Sequence, residues 1–503
     1  MTVKPRHRWA TVTIVLPVAW RSPPTNPELG ESMRRAVVLL AVLLPLSLLV
    51  PATAHSYEPS GGATFNTPVP WGGAAARSAI VRKVEQAIRN IRPTKRDPRP
   101  KLILAAYLFD RPSSADAIIG ACKRGVSVRV IIDDEVKSKP FRRIVTALNA
   151  DNVRDRDRNG VPDTDPKAGR CNRPLPADSG GLRTKPPVDG PDGLAAIPTM
   201  TPREVHRSLV EDKGTPVSWG RDGSYVLRCS GSCRGGPEAN MHAKIYAFSS
   251  TGSANNVVMF ASTNLNAGGV NSGWNDMITM KNRPKTFAFV EKMHRLMTAQ
   301  KRAGRKLVQL VDGPYTTRFF PMFGVGKKRD PLMVDLRKVK CSSAFGPTQL
   351  YIQQFWWNGH RGNYIWNKVR DLARSGCKVK IIFGAVDGTL LRQMKAARAS
   401  GLIELWDSRW DSSDVDGCVN TRTHMKNVAV RGTYGKNRKY AGVWTGTANW
   451  ATGSLTKGDE VTVNVKSAKL YKQYVSRWKT VKAHSRLTWT HDQPFPPIDC
   501  TDD

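Results

Sequence analysis

Two H-x-K triplets, His242-Ala243-Lys244 and His424-Met425-Lys426, pair an imidazole with an ammonium in a chain of nine histidines. About one such triplet is expected by accident in so basic a sequence, so the weight falls on the residues downstream of each. After His242 come the apolar segment IYAF, then VVMFASTNLN with Asn264 22 residues downstream of the histidine, then WNDMITM with Asp276. After His424 come NVAV, then AGVWTGTANW with Asn449 25 residues downstream, then GDEVTV with Glu460. His, Lys, Asn and a carboxylate thus recur in one order, with the carboxylate 12 residues after Asn264 and 11 after Asn449. Asp276 is matched with Glu460 because the apolar segments beyond them then stay in step, and Asp459 is the substitute for Glu460.

Those residue types suit attack on a phosphodiester. Its oxygens are negative and its alkoxide leaving group is poor, so a catalyst must neutralise charge, supply a nucleophile and donate a proton. Two histidines can divide the last two tasks: one neutral imidazole attacks phosphorus to give a phosphohistidine, and the other protonates the leaving oxygen and then activates water or an alcohol. Lys244 and Lys426 supply point charges for the non-bridging oxygens, and Asn264 and Asn449 add amide donors. Asp276 and Glu460 can hold the histidine Nδ1 protons, fixing tautomer and orientation. This set requires no cofactor.

The elements that would position these residues are duplicated. One half contains LILAAYLFD (Leu102 to Asp110), a helical pattern, then ACKRGVSVRVIID (Ala121 to Asp133). The other contains LYIQQFWWN (Leu350 to Asn358), a helical pattern with Ile365, Val369 and Leu372 on one face, then LARSGCKVKIIFG (Leu372 to Gly384). In each, an apolar strand leads to a helix ending at Gly125 or Gly376, where a left-handed cap suits glycine, and then to a strand rich in Val and Ile. Strand, helix, strand implies a parallel sheet with helices on its faces, an α/β class. Ahead of the first unit, Ile80, Val84, Ala87, Ile88 and Ile91 form a core-facing helical stripe that stops at Pro93. Trp356, Trp357, Trp444 and Trp450 lie near the strands and motifs; large aromatics are more often core than pocket lining.

The duplicated pattern resembles the phospholipase D superfamily, whose half-site reads H-x-K-x4-D, then G-S/T-x-N, then a carboxylate. The resemblance runs roughly over residues 75–490. GTAN at Gly446 to Asn449 matches, and ASTN carries Ala261 in place of glycine. The motif aspartate is Ser249 in one half and Arg431 in the other, a departure that touches local geometry more than chemistry. The resemblance implies two similar α/β lobes with mixed or parallel sheets, related by a pseudo-two-fold axis, and one active site at their interface. The lobes are expected over 75–320 and 330–495, in a monomer. By analogy with the family, His242 is the nucleophile and His424 the acid and base.

Residues 151–240, rich in Pro, Gly, Asp and Arg, read as a long insertion in the first lobe. Within it Asp155, Asp157, Asn159 and Asp163 have the oxygen-ligand spacing of a calcium loop with Gly160 at the turn, although Pro166 stands where a closing Glu would be. A structural calcium ion is one reading and a solvated acidic turn the other. The eight cysteines (Cys122, Cys171, Cys229, Cys233, Cys341, Cys377, Cys418 and Cys500) point to four disulfides in an exported chain. Cys229 and Cys233 lack the second pair that a zinc site would need.

Met33 to Ala54 has the layout of a signal peptide: Arg34 and Arg35, an apolar run interrupted by Pro45, then Ala52-Thr53-Ala54. The run is short for a membrane span, Met33 reads as the true start, and secretion is expected. Removing residues 1–54 takes away six Lys/Arg and two Glu, which lowers the net charge from +37 to +33. Such a field attracts nucleic acid, anionic lipid surfaces or acidic polysaccharide. Secretion, disulfides, both half-sites in one chain and the nearby tryptophans favour a phospholipid substrate. The charge and the Arg-rich insertion favour nucleic acid, and a site broken at Ser249 and Arg431 would leave a non-catalytic binder of anionic surfaces.

Overall fold

The computed structural model describes residues 57–148, 224–410 and 421–486, all within a unit that starts at Ser56. The apolar run at Met33 to Ala54, the acidic turn at Asp155, Asp157, Asn159 and Asp163, most of the insertion, and Cys171, Cys418 and Cys500 lie outside the described residues.

The first lobe begins with β1 (Gly62–Phe65), α1 (Ala74–Arg77) and α2 (Ala79–Arg89). On α2, Ile80, Val84, Ala87 and Ile88 fall at helical spacing and are buried together. β2 (Lys101–Ala106), α3 (Pro112–Lys123) and β3 (Ser127–Asp133) make the first strand-helix-strand unit, with β2 and β3 parallel. After α4 (Lys139–Leu148), β4 (Tyr225–Cys229) joins parallel to β3. β5 (Ile245–Thr251) and β6 (Ala254–Ala261) form an antiparallel hairpin. α5 (Ala267–Asn271), β7 (Gly273–Trp274), β8 (Asp276–Met280) and α6 (Pro284–Thr298) complete the lobe.

The second lobe opens with β9 (Val308–Asp312), β10 (Tyr315–Phe319), α7 (Pro331–Lys338) and the short β11 (Val339–Lys340), β12 (Ser342–Ser343) and β13 (Gly346–Pro347). β14 (Gln349–Trp357), α8 (Gly359–Arg374) and β15 (Lys378–Val386) repeat the strand-helix-strand unit. Next come α9 (Gly388–Ala399), β16 (Glu404–Asp407), β17 (Arg422–Thr423), β18 (Lys426–Tyr434), β19 (Asn437–Gly446), β20 (Val461–Lys466) and α10 (Ala468–Ala483).

The first sheet runs β4-β3-β2-β5-β6-β8-β1 and the second β16-β15-β14-β18-β19-β20-β10-β9. Over seven strands of each the order is the same, three parallel strands and then antiparallel ones, and the second sheet adds β9 at its edge and β11 beside β18. Gly125 and Gly376 stand just past α3 and α8 with φ of +90° and +91°, the left-handed caps that let each helix turn back into its sheet. Each lobe has its own outer core. A third core is shared: Met293 and Met297 of α6 and Tyr474 and Trp478 of α10 pack with inward residues of both sheets. Burying each such side chain contributes about 1.5–3 kcal/mol, so the lobes are held as a pair.

Cys229 is bonded to Cys233 and Cys341 to Cys377. Cys122 is disulfide-bonded as well. The C-x3-C pair is therefore a crosslink.

Candidate active site

Each H-x-K triplet enters a central strand. His242 lies just ahead of β5 and His424 just ahead of β18, and Lys244 and Lys426 are buried below them. Each lysine folds back on its own triplet, with Lys244 Nζ donating to the His242 carbonyl and Lys426 Nζ to the His424 carbonyl, both at 2.8 Å. Lys426 Nζ also lies 2.9 Å from His424 Nε2.

The residues that orient the histidines come from the opposite lobes. His242 Nδ1 is 3.0 Å from both carboxylate oxygens of Glu460, which is held from behind by the Thr447 hydroxyl. His424 Nδ1 is 2.9 Å from Asn275 Oδ1. The Asn275 amide nitrogen donates to the carbonyls of Gly269 and Gly273, so its oxygen must face His424, and His424 carries its proton on Nδ1. Backbone pairing across the interface sets these distances. β17 runs parallel to β7, Arg422 beside Gly273 and Thr423 beside Trp274, and the His424 N–H donates to the Trp274 carbonyl at 3.0 Å. On the other side the Asp459 N–H donates to the Asn240 carbonyl at 3.1 Å.

Asp276, expected at a histidine, is not there. Thr445 and Tyr474, both of the second lobe, donate to its Oδ2 at 2.6 Å each, and its Oδ1 has no partner among the described residues. The reason is register. Ala261 pairs with Met277 as Gly446 pairs with Thr462, so the equivalent of Glu460 is Asn275 and that of Asp276 is Val461. Asp276 therefore ties β8 to the other lobe. Asp459 does not substitute for Glu460; the Ser232 hydroxyl and the Cys233 N–H grip its carboxylate at 2.7 and 2.6 Å, inside the loop closed by the Cys229–Cys233 disulfide.

Asn264 Oδ1 accepts from the Leu108 N–H at 3.3 Å, while its buried amide nitrogen has no partner among the described residues. Asn449 Oδ1 is likewise unpartnered, and the Asn449 carbonyl accepts from Arg361, whose guanidinium is ion-paired to buried Asp330. Two aromatic residues join the site without belonging to any motif. The Tyr107 ring lies 5.3 Å from that of His242 and 5.1 Å from Lys244 Nζ, and the Phe355 ring 4.8 Å from that of His424 and 4.9 Å from Lys426 Nζ. They hold the same place in LILAAYLFD and LYIQQFWWN, and that coincidence is visible in the sequence. Trp357, Trp444 and Trp450 are core, and Trp356 is half-buried.

At the motif-aspartate positions, Ser249 accepts from the Lys101 N–H and donates to Asp97, each at 2.7 Å, so a carboxylate still reaches this point of the first lobe. Arg431 stacks over the Phe345 ring at 4.1 Å. Among the described residues no group of three or more His, Cys, Asp or Glu could hold a metal ion.

Electrostatics join the two half-sites. Burial lowers the His242 pKa to about 4, with Glu460 raising it and Lys244 and Lys426 lowering it further. His424 is pushed well below the usual histidine range by burial first, then by Lys426, Lys244 and His242. Each histidine therefore feels the lysine of the other half. Burial raises Glu460, but His242, Lys244 and Thr447 outweigh it and leave its carboxyl below the ordinary value.

The chain matches the family model described as cardiolipin synthase, PLD-like domain, over residues 96–298 and 343–481. No curated protein sequence matches it. Among solved structures it is similar to a polyphosphate kinase from Porphyromonas gingivalis at 11% identity and a TM-score of 0.45, over 87% of this chain and 53% of that one. This chain thus spans about half the length of that kinase. It is also similar to a phosphatidylserine synthase from Haemophilus influenzae, at 12% identity and a TM-score of 0.43, over 86% and 89% of the two chains. A yeast tyrosyl-DNA phosphodiesterase is similar at 9% and 0.37, over 81% and 90%. With the family model matched over more than half of its length, once in each lobe, the chain belongs to the phospholipase D superfamily of phosphodiesterase-type enzymes.

Proposed function

We propose that this chain hydrolyses the phosphodiester of phospholipid head groups through a phosphohistidine on His242, as a secreted enzyme. The observation that carries the reading is the exchange of orienting residues, which faces the two histidines toward one site with unlike partners. A carboxylate accepts hydrogen bonds only, so His242 keeps its proton on Nδ1 and offers the Nε2 lone pair to phosphorus. Glu460 stabilises the positive charge that the ring gains as the Nε2–P bond forms. His424 is opposite a neutral amide, which lends an imidazolium no such support and leaves it a strong acid.

The anionic substrate brings the charge that lets His424 take up a proton. That proton passes to the leaving oxygen as the P–O bond breaks. Water then attacks the phosphohistidine, gives its proton to His424, and the N–P bond breaks to regenerate His242. Lys244, Lys426 and the open amide of Asn264 are the groups for the non-bridging oxygens.

The test is turnover in EDTA on phosphatidylcholine vesicles and, separately, on plasmid DNA. Release of choline supports the reading. Nicked plasmid without choline release would assign the site to nucleic acid, the alternative that the net charge of +33 after removal of residues 1–54 favours.

A further inference from the structure

The segment from the end of α6 through β9, β10, α7 and β11, residues 301–340, holds eleven Lys and Arg against three carboxylates. All three carboxylates are turned inward onto arginines. Asp312 pairs with Arg283, Asp330 with Arg361 and Asp335 with Arg318. The cations they leave behind face water: Arg305, Lys306, Lys327, Lys328, Arg329 and Lys338 are all exposed.

In the middle of this field β9, β10, β20, the β18–β19 turn and α7 enclose a groove of about 510 Å³. Arg318, Arg329, Lys338 and Lys466 line it, Gln309, Thr316, Asn437 and Asn464 add amides and a hydroxyl, and among the described residues no carboxylate is on its wall. Its rim carries Val311, 63% exposed, on β9 at the free edge of the sheet. The wall is that of a site for an anion with polar substituents, and one exposed aliphatic side chain, Val311, stands at its rim.

We propose that this groove is a second, non-catalytic site that docks an anionic phospholipid head group and seats the enzyme on a charged membrane surface. The choice of lipid rests on the proposed substrate and on two features of the groove. A nucleic-acid strand asks for open aromatic faces on which bases stack. Here Tyr434 and Tyr440 lie against each other at 4.8 Å, with their hydroxyls taken by Asp335 and Trp444. The exposed side chain beside the cations is aliphatic, which suits the interface between head groups and acyl chains.

The test is sedimentation of the full chain with vesicles of phosphatidylcholine alone or with phosphatidylglycerol added. Each cation near an anionic surface strengthens binding roughly fivefold, so Arg329→Glu, Lys338→Glu and Lys466→Glu together should lower affinity for the anionic vesicles more than tenfold. Val311→Asp alone, at an exposed position, should weaken it several-fold. As a control, Lys469→Glu, Lys472→Glu and Lys479→Glu make the same change of charge on exposed positions of α10.

An equal loss in the control would show unspecific attraction and overturn the proposal. So would groove variants that bind vesicles as the parent does, or that lose a single-stranded oligonucleotide while keeping vesicles. Binding is read without turnover, so a chain that hydrolyses no phospholipid but loses vesicles only through the groove would refute the proposed substrate and leave the docking site standing.

Discussion

Asn275 and Glu460 occupy equivalent places in the two lobes, each two residues before a strand residue paired to the start of its asparagine motif, and each reaches across to the histidine of the other lobe. One is a neutral amide and the other a carboxylate. Two half-sites built on one plan thereby receive unlike acid-base properties, and the difference resides in the residues behind the histidines rather than in the histidines themselves.

That difference sets a pH signature. Protonated His242 has no lone pair, so activity should fall as pH drops through its pKa, near 4 in the free enzyme. Glu460 raises that pKa, so Glu460→Gln should move the acid limb of kcat/KM to lower pH while cutting the rate by about 10²-fold or more. With His424 as the proposed acid, activity should be lost as pH rises through its pKa in the complex. Asn275→Asp adds a carboxylate, raises that pKa, and should move the alkaline limb of kcat upward. Limbs that stay in place in both variants would separate the orienting residues from the chemistry.

His242→Ala and His424→Ala should each lower turnover by orders of magnitude, but differently. His424→Ala still has its nucleophile, and with an activated substrate whose leaving group needs no proton it should accumulate phosphate on His242. Mass mapping of the quenched protein checks this, and label on neither histidine would count against a covalent intermediate.

Gly273 sits where β7 meets β17. A Cβ there would come within 2.6 Å of the Asn275 amide nitrogen and 3.1 Å of His424 Cβ. Gly273→Ala should leave the fold intact by circular dichroism while lowering kcat about 10²-fold, since a displacement of the order of an ångström suffices for that. Full activity in this variant would mean that His424 tolerates a shifted Asn275.

The Cys229–Cys233 crosslink closes too short a loop for chain entropy to matter greatly. Its loop nevertheless grips Asp459, next to Glu460. Replacing both cysteines by Ser should lower Tm by only a few degrees yet reduce kcat by about tenfold, a split that thermal melts and steady-state rates would detect. A large fall in Tm with kcat unchanged would make the loop a stability device alone.

The duplicated scaffold is legible in the sequence because its signals are local: the apolar runs that form β2 and β14, the stripes on α2 and α8, and Gly125 and Gly376 at the helix ends. His, Lys and Asn are legible because they recur in order. The orienting pair is misleading at one position. A preference for a carboxylate points to Asp276, although a constant distance of 11 residues from the motif asparagine gives Asn275 and Glu460 alike. There register outweighs residue type, since in a strand a slip of one residue turns a side chain to the opposite face. Which histidine meets which partner is not legible, because the exchange depends on β7 and β17, far apart in sequence, running side by side. Tyr107 and Phe355 are visible as equivalent positions but carry no motif to mark them.

The crossing of the orienting residues also bears on when the chain becomes reactive. His242 and Lys244 are made first, and the carboxylate that gives His242 its tautomer belongs to Glu460, 218 residues further along and just ahead of β20. With the roles proposed above, a first lobe alone has its nucleophile without the group that aims it. On the proposed mechanism the site is assembled only once Glu460 has been translated and both lobes have closed on each other.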